Sequence, residues 1–269
     1  MLFGWYEEKI IFTRSAVMFS GRKRKVETPD TSVIVVAAGS ASRMGGIDKQ
    51  LMPLADAPVL VHTLQRLGSC PSVAEIIVVT REQSIPILHQ MIADFDLQKI
   101  RTIVTGGQTR QQSVQNGFRE IGTQSQFVAI HDGARPLIRP EDVEACLAAA
   151  RKTGAATLGV PVKDTVKQVD SEGKIVATPD RSVLYAAQTP QVFSVAVYKA
   201  AVERADREQR DFTDDCQLLE YAGMPVQMVK GSYDNIKITT PEDLAIAQSL
   251  LAYQYGWEDE RDDADWTRI

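Results

Sequence analysis

Cysteine is scarce. Three occur in 269 residues, Cys70, Cys146 and Cys216, far apart and without CxxC spacing. That excludes a disulfide scaffold and a cysteine-ligated zinc site, and it leaves reduced thiols in a cytoplasmic protein as the expectation. No apolar run approaches the roughly 20 residues that cross a bilayer. The early runs 10–12 and 16–19 are split by Arg14 and follow Glu7 and Glu8, so no signal peptide is expected. A net charge of −5 gives no basic excess for nucleic acid. Neither GxGxxG nor GxxxxGK[ST] occurs, so the dinucleotide and P-loop signatures are absent. Internal repeats and low-complexity linkers are lacking too.

What is present is a chain 44% hydrophobic, enough for one α/β domain with a full core. Apolar runs at 33–36, 76–79, 100–104 and 127–130 alternate with helical patterns at 58–67, 85–93, around Val114, Phe118 and Ile121, and from Pro140. Repeated βα units predict a Rossmann-like, mostly parallel sheet with right-handed crossovers and helices on both faces. From 157 to about 187 the runs turn short, with a turn at 170–173 between 165–169 and 175–177. This reads as a projecting β-arm for dimerisation, since two strands alone are marginal. Helices are expected again at 195–204 and 216–221, and strands at 226–229 and 236–238. A last helix is expected with Thr240 as N-cap, Pro241 at N1 and Asp243 at N3. The domain is thus placed at 31–255. Residues 1–30 are expected to be a disordered extension with Met18 as the natural start, and 256–269 an acidic tail.

Four segments carry charge to strand ends. The run 33–36 stops in Ala37, Ala38 and Gly39, and a loop with Arg43, Gly45, Gly46 and Lys49 follows. Small residues let backbone N–H groups approach phosphate oxygens, and the two cations suit a triphosphate. Gly106 and Gly107 open a helix bearing Ser113, where free N–H groups face outward. His131-Asp132-Gly133-Ala134-Arg135-Pro136 ends a strand. Asp132 there suits Mg²⁺ and Arg135 suits a second phosphate, while His131 reads as a structural hydrogen-bonder. Lys237, between Ile236 and Ile238, is either a strand lysine aimed at the crevice or a solvated edge residue.

Together the pieces AAGxxxRMG…KQ, GGxxRxxSV, HDGARP, Lys163-Asp164-Thr165 and DNIKIT followed by PEDL resemble the 2-C-methyl-D-erythritol 4-phosphate cytidylyltransferases of the non-mevalonate isoprenoid pathway. The resemblance covers about 31–253. It implies CTP and 2-C-methyl-D-erythritol 4-phosphate as substrates, a divalent cation such as Mg²⁺, and a homodimer through the arm. It assigns Ala37, Ala38, Gly39, Gly107, Gln108, Ser113 and Gly133 to the nucleotide. Arg43, Lys49 and Lys237 fall to catalysis, Asp132 to metal and substrate, and Arg135, Lys163, Thr165 and Thr189 to the substrate. In that family the arm crosses to the other subunit, so Lys163 is expected to serve the partner's site. The family often has Gly where Ala41 stands and Pro where Asp48 stands.

The implied reaction is attack of a phosphate oxygen on the α-phosphorus of CTP. The attacking monoester is already an anion, so cations and positioning matter more than a general base. A CTP-dependent enzyme acting on ribitol or another polyol phosphate is the nearest alternative. A catalytically silent nucleotide-binding regulator is the alternative of another class.

Overall fold

The structure is a computed structural model that describes residues 28–39 and 49–254. The first half alternates as the apolar runs demand. It comprises β1 (Thr31–Val36), a hairpin of β2 (Pro53–Leu54) and β3 (Ala57–Pro58), α1 (Val59–Gly68), β4 (Val73–Thr80), α2 (Ile85–Asp94), β5 (Ile100–Thr105), α3 (Arg110–Phe118), β6 (Phe127–Asp132) and α4 (Pro140–Thr153). Then come β7 (Ala155–Pro161), β8 (Gln168–Val169), β9 (Ile175–Ala177), β10 (Tyr185–Ser194), α5 (Val195–Arg207), α6 (Asp215–Tyr221), β11 (Gln227–Lys230) and α7 (Pro241–Gln254).

Seven strands form one sheet in the order β11-β7-β10-β6-β1-β4-β5. All share one direction except β10, which is antiparallel to both neighbours. Alternate residues of a strand face opposite sides. Val33 and Val35 of β1 therefore meet Leu60 and Leu64 of α1 and Leu147 of α4, while Ile34 meets the side holding Val114 of α3 and Tyr198 of α5. The sheet is thus covered on both faces, as a buried parallel sheet requires. Among the described residues, no helix is long and apolar enough to cross a membrane.

Two expectations need correction. Residues 157–161 and 185–187, read as part of the arm, belong to the central sheet: β7 is buried along Ala155–Val160 and pairs with β10 and β11. Only 162–184 projects. The change of rhythm marks an antiparallel strand inserted into the sheet, not the point where the chain leaves it. Second, 236–238 forms no strand. Ile238 is fully buried and its N–H donates to the Ala134 carbonyl at 2.8 Å, but no ladder follows. One backbone bond and one buried side chain give the alternating pattern without a paired strand. At α7, Asp243 reaches back to accept from the N–H groups of Thr239 and Thr240 at 2.7 and 2.9 Å. A capping-box acid at N3 behaves this way.

Candidate active site

Ligands of open α/β sheets bind beyond the carboxyl ends of the strands. Here the ends of β1, β5 and β6 surround a cavity of about 380 Å³. Four stretches line it: Val36, Ala38 and Gly39 with Lys49 and Gln50, Gly107 to Arg110 with Ser113, Asp132 with Ala134, and Lys237.

The first stretch follows β1. Ala37 is buried and its N–H donates to the Val79 carbonyl at 2.7 Å, so Ala38 and Gly39 are the residues that face the cavity. Half-buried Lys49 returns to the same cavity. Arg43, expected between them, lies outside the described residues, as do Ala41 and Asp48.

The second stretch joins β5 to α3. Gly106 packs so closely on the first that a Cβ there would come within 2.4 Å of the Ala38 Cβ. Thr109 caps α3 by accepting from the Gln112 N–H at 3.2 Å. The Ser113 hydroxyl donates to the Thr109 carbonyl at 2.9 Å and accepts from the Gly107 N–H at 3.0 Å, so it shapes the loop from within. Gln108 lies at the rim, its N–H donating to Gln112 Oε1 at 2.9 Å.

The third stretch is charged and buried. Asp132 is 8% exposed. Its Oδ2 lies 2.9 Å from Lys237 Nζ and 3.5 Å from Arg135 Nε. Burial pushes the Asp132 carboxyl up, but the pull of Lys237 and then Arg135 outweighs it, bringing it down to about 2. The Asp132 N–H donates to Thr189 Oγ1 at 3.0 Å, and His131 Nδ1 meets the same hydroxyl at 3.1 Å. Thr189 therefore supports the carboxylate's backbone. His131 is fully buried, which lowers it to about 4, and it is the structural group the sequence suggested. Gly133 turns inward, donating to the Val36 carbonyl at 3.0 Å and accepting from Thr63 Oγ1 at 2.9 Å.

Two residues matter beyond those assigned from sequence. Arg110 lines the cavity and its guanidinium pairs with buried Asp215 at 2.6 Å, which also accepts from the Tyr198 hydroxyl at 2.8 Å. Burial lowers the Arg110 guanidinium, yet Asp215 and then Asp132 pull it above its ordinary value. The signal was a cation inside the glycine-led segment. The other is Asn235, fully buried, whose carbonyl accepts from Arg135 Nη1 at 2.7 Å. Lys163 and Thr165 do not line the cavity. They sit exposed at the arm's root, with Lys163 Nζ 3.6 Å above the Tyr233 ring of the same chain. Arg181, where the arm returns to its root, donates to the Lys163 carbonyl at 2.8 Å.

The sequence profile of the 2-C-methyl-D-erythritol 4-phosphate cytidylyltransferase family matches residues 31–253. The chain belongs to that family. All four stretches of the cavity fall inside the match. A 2-C-methyl-D-erythritol 4-phosphate cytidylyltransferase of Syntrophotalea carbinolica is 46% identical over 222 residues, 81% of this chain and 95% of the relative. One from Desulforamulus reducens is 42% identical, over 83% of this chain and 97% of the relative. Among solved structures, the 4-diphosphocytidyl-2C-methyl-D-erythritol synthase of Anaerococcus prevotii superposes with a TM-score of 0.74 at 33% identity, covering 84% of this chain and 99% of that one. The mostly parallel sheet is thus the cytidylyltransferase family's own.

Proposed function

We propose that this cavity transfers CMP from CTP to 2-C-methyl-D-erythritol 4-phosphate, releasing pyrophosphate and forming 4-diphosphocytidyl-2-C-methyl-D-erythritol for isoprenoid precursor synthesis. The observation that carries the reading is the meeting of Lys49, Arg110, Asp132 and Lys237 with two small-residue segments around one cavity at the strand ends.

The chemistry follows from charge. Two anions must be brought together and the charge developing at the α-phosphorus must be held. Preorganised cations in a water-poor site do this at low reorganisation cost. Ala38, Gly39, Gly107 and Gln108 offer close backbone approach to the nucleotide, with Ala37, Gly133 and Ser113 fixing the walls behind them. Lys49 and Lys237 supply positive charge in the cavity, and Arg43 joins them in this proposal on the strength of the motif. Arg135, Thr189, Lys163 and Thr165 are assigned to the substrate's side.

A divalent cation fits the donor set. Mg²⁺ takes few protein carboxylates and completes its shell with phosphate oxygens and water. Asp132, ionised and bordering the cavity, is such a carboxylate. Among the described residues no group of three potential metal ligands occurs, so phosphate oxygens would supply much of the coordination. Bound there, the ion would neutralise phosphate charge.

The arm supports a homodimer. Val169, Ile175, Val176 and Val183 on it are more than half exposed in one copy. The domain runs over 31–255 in this reading. The three cysteines are buried and free, in keeping with a reducing cytoplasm.

The test is pyrophosphate release with CTP and Mg²⁺, comparing 2-C-methyl-D-erythritol 4-phosphate with ribitol 5-phosphate. Release only with the first is expected. Release only with the second keeps the chemistry and replaces the substrate. CTP binding without release from either would make the chain a silent nucleotide-binding protein.

A further inference from the structure

We infer that Asn235 is a positioning residue, whose buried amide ties the 231–239 segment to β10 and thereby sets where the Lys237 ammonium meets Asp132. The inference rests on the cytidylyltransferase reading of the cavity.

Lys237 stands on a segment that pairs with no strand. A side chain on a ladder is placed by the sheet, but this one must be placed by other bonds. Ile238 gives one, through its N–H to the Ala134 carbonyl. Gly231, Ser232 and Tyr233 tie the segment's start to Gly159, Gln188 and Pro161, and Asp234 pairs with Arg139. Nearer Lys237, fully buried Asn235 gives three more contacts. Its Nδ2 donates to the Thr189 carbonyl at 2.9 Å and stands 3.4 Å from Gln188 Oε1. Its backbone carbonyl accepts from Arg135 Nη1 at 2.7 Å.

Both routes from Asn235 end on one group. Thr189 accepts from the Asp132 N–H, and Arg135 faces the Asp132 carboxylate. Lys237, two residues along, meets that carboxylate directly at 2.9 Å. One residue with no exposed surface thus closes a ring through three distant parts of the chain. The position calls for a neutral donor: a carboxylate would face the Thr189 carbonyl, and an apolar residue would remove that carbonyl's bond from Asn235.

The experiment replaces Asn235→Ala, with Asn235→Ser as a second variant should the first not fold. Leu251→Ala serves as a control, since Leu251 is buried in the same cluster as Ile238. Two readouts are used. Steady-state pyrophosphate release is measured with each substrate varied in turn, beside calorimetry of CTP alone. Crystal structures of the variants give the Lys237 Nζ to Asp132 Oδ2 separation, 2.9 Å in the native chain, which needs no turnover. Displacing a reacting group by about 1 Å can cost about 10²-fold. The Asn235 variants are therefore expected to lose kcat/KM for the polyol phosphate by about that factor, to bind CTP almost normally, and to hold Lys237 Nζ farther from Asp132 than the native 2.9 Å. Leu251→Ala should lose stability and leave both readouts in place. An unchanged Lys237–Asp132 separation with unchanged kcat and KM overturns the inference, as does an equal change in the control. Were the unaltered protein to release no pyrophosphate with either polyol phosphate, the functional reading would fail while the Lys237–Asp132 separation still judged Asn235.

Discussion

The cavity and the arm treat polar and apolar groups in opposite ways. In the cavity, ionised Asp132 is 8% exposed and held by two cations, and the apolar residues around it are covered. On the arm, every residue of β8 and β9 is exposed, and Val183 beyond them is 74% exposed. Burying a charge is unfavourable unless it is paired and hydrogen-bonded, and the cavity meets that condition inside one copy. A two-stranded ribbon is marginal alone. In the proposed homodimer, a self-complementary contact with a second copy would stabilise the arm. Asp132 finds its cations within one chain, whereas the arm leaves Val169, Ile175, Val176 and Val183 more than half exposed in one copy.

The largest effect should separate the two. Lys49→Ala is expected to cut turnover by about 10²–10³-fold, the loss typical of one charge-stabilising donor, while sedimentation shows the same oligomer. Near-normal turnover would remove Lys49 from the chemistry. The second effect concerns the buried floor. Burial holds His131 neutral down to about 4, against 6.5 ordinarily. The unfolded chain then binds more protons between those values, so stability falls as pH drops through that window. The loss should reach about 3 kcal/mol by pH 4. Denaturant melts across that range would show it, and His131→Gln should flatten the dependence. A slope unchanged in the variant would assign the acid sensitivity elsewhere.

Gly106→Ala should cost less. The new methyl would press on Ala38 and on the Ser113 hydroxyl, which it would meet at 2.9 Å. Overpacking of this kind costs about 1–3 kcal/mol. CTP affinity measured by calorimetry should weaken, since the two small-residue segments must part. Normal affinity would show that their contact is incidental. On the arm, Val176→Asp is expected to shift the oligomer toward monomer in light scattering while CTP affinity holds. A dimer of unchanged strength would mean that this surface is not the interface.

What was legible in the sequence follows the range of the forces involved. The runs that became β1, β4 and β6 could be read because a buried parallel strand is apolar throughout, a local property. Pro140 at the start of α4 and the acid reaching back at α7 were local too. β10 was not legible: Gln188, Thr189, Pro190 and Gln191 break its apolar run, and its antiparallel direction depends on partners in β6 and β7. The same holds in the cavity. Asp132 announces itself as a charge at the end of an apolar run, and Lys237, between Ile236 and Ile238, as either a crevice lysine or an edge one. Arg110 shows only as a cation in the glycine-led segment, and Asn235 not at all, since the partners that give them meaning stand 105 and 100 residues away and neither residue ends an apolar run. The segment 236–238 alternates like a strand, yet alternation reports only which residues are buried, not whether a neighbouring strand exists.

The smallest expected effect lies where the two regions meet. Tyr233 is bonded to the arm's root twice: its hydroxyl donates to the Pro161 carbonyl at 2.7 Å, and its ring lies 3.6 Å below Lys163 Nζ. Both groups are exposed, so the cation–ring contact is worth about 0.5–1 kcal/mol. Tyr233→Phe keeps the ring and removes the hydroxyl bond; Tyr233→Leu removes both. Limited proteolysis within 162–184 should quicken in the order native, Phe, Leu, with CTP affinity unmoved. Equal rates for Phe and Leu would assign the tie to the hydroxyl alone. Equal rates for all three would mean that the arm is held by its partner rather than by its own chain, which would make its dependence on a second copy complete.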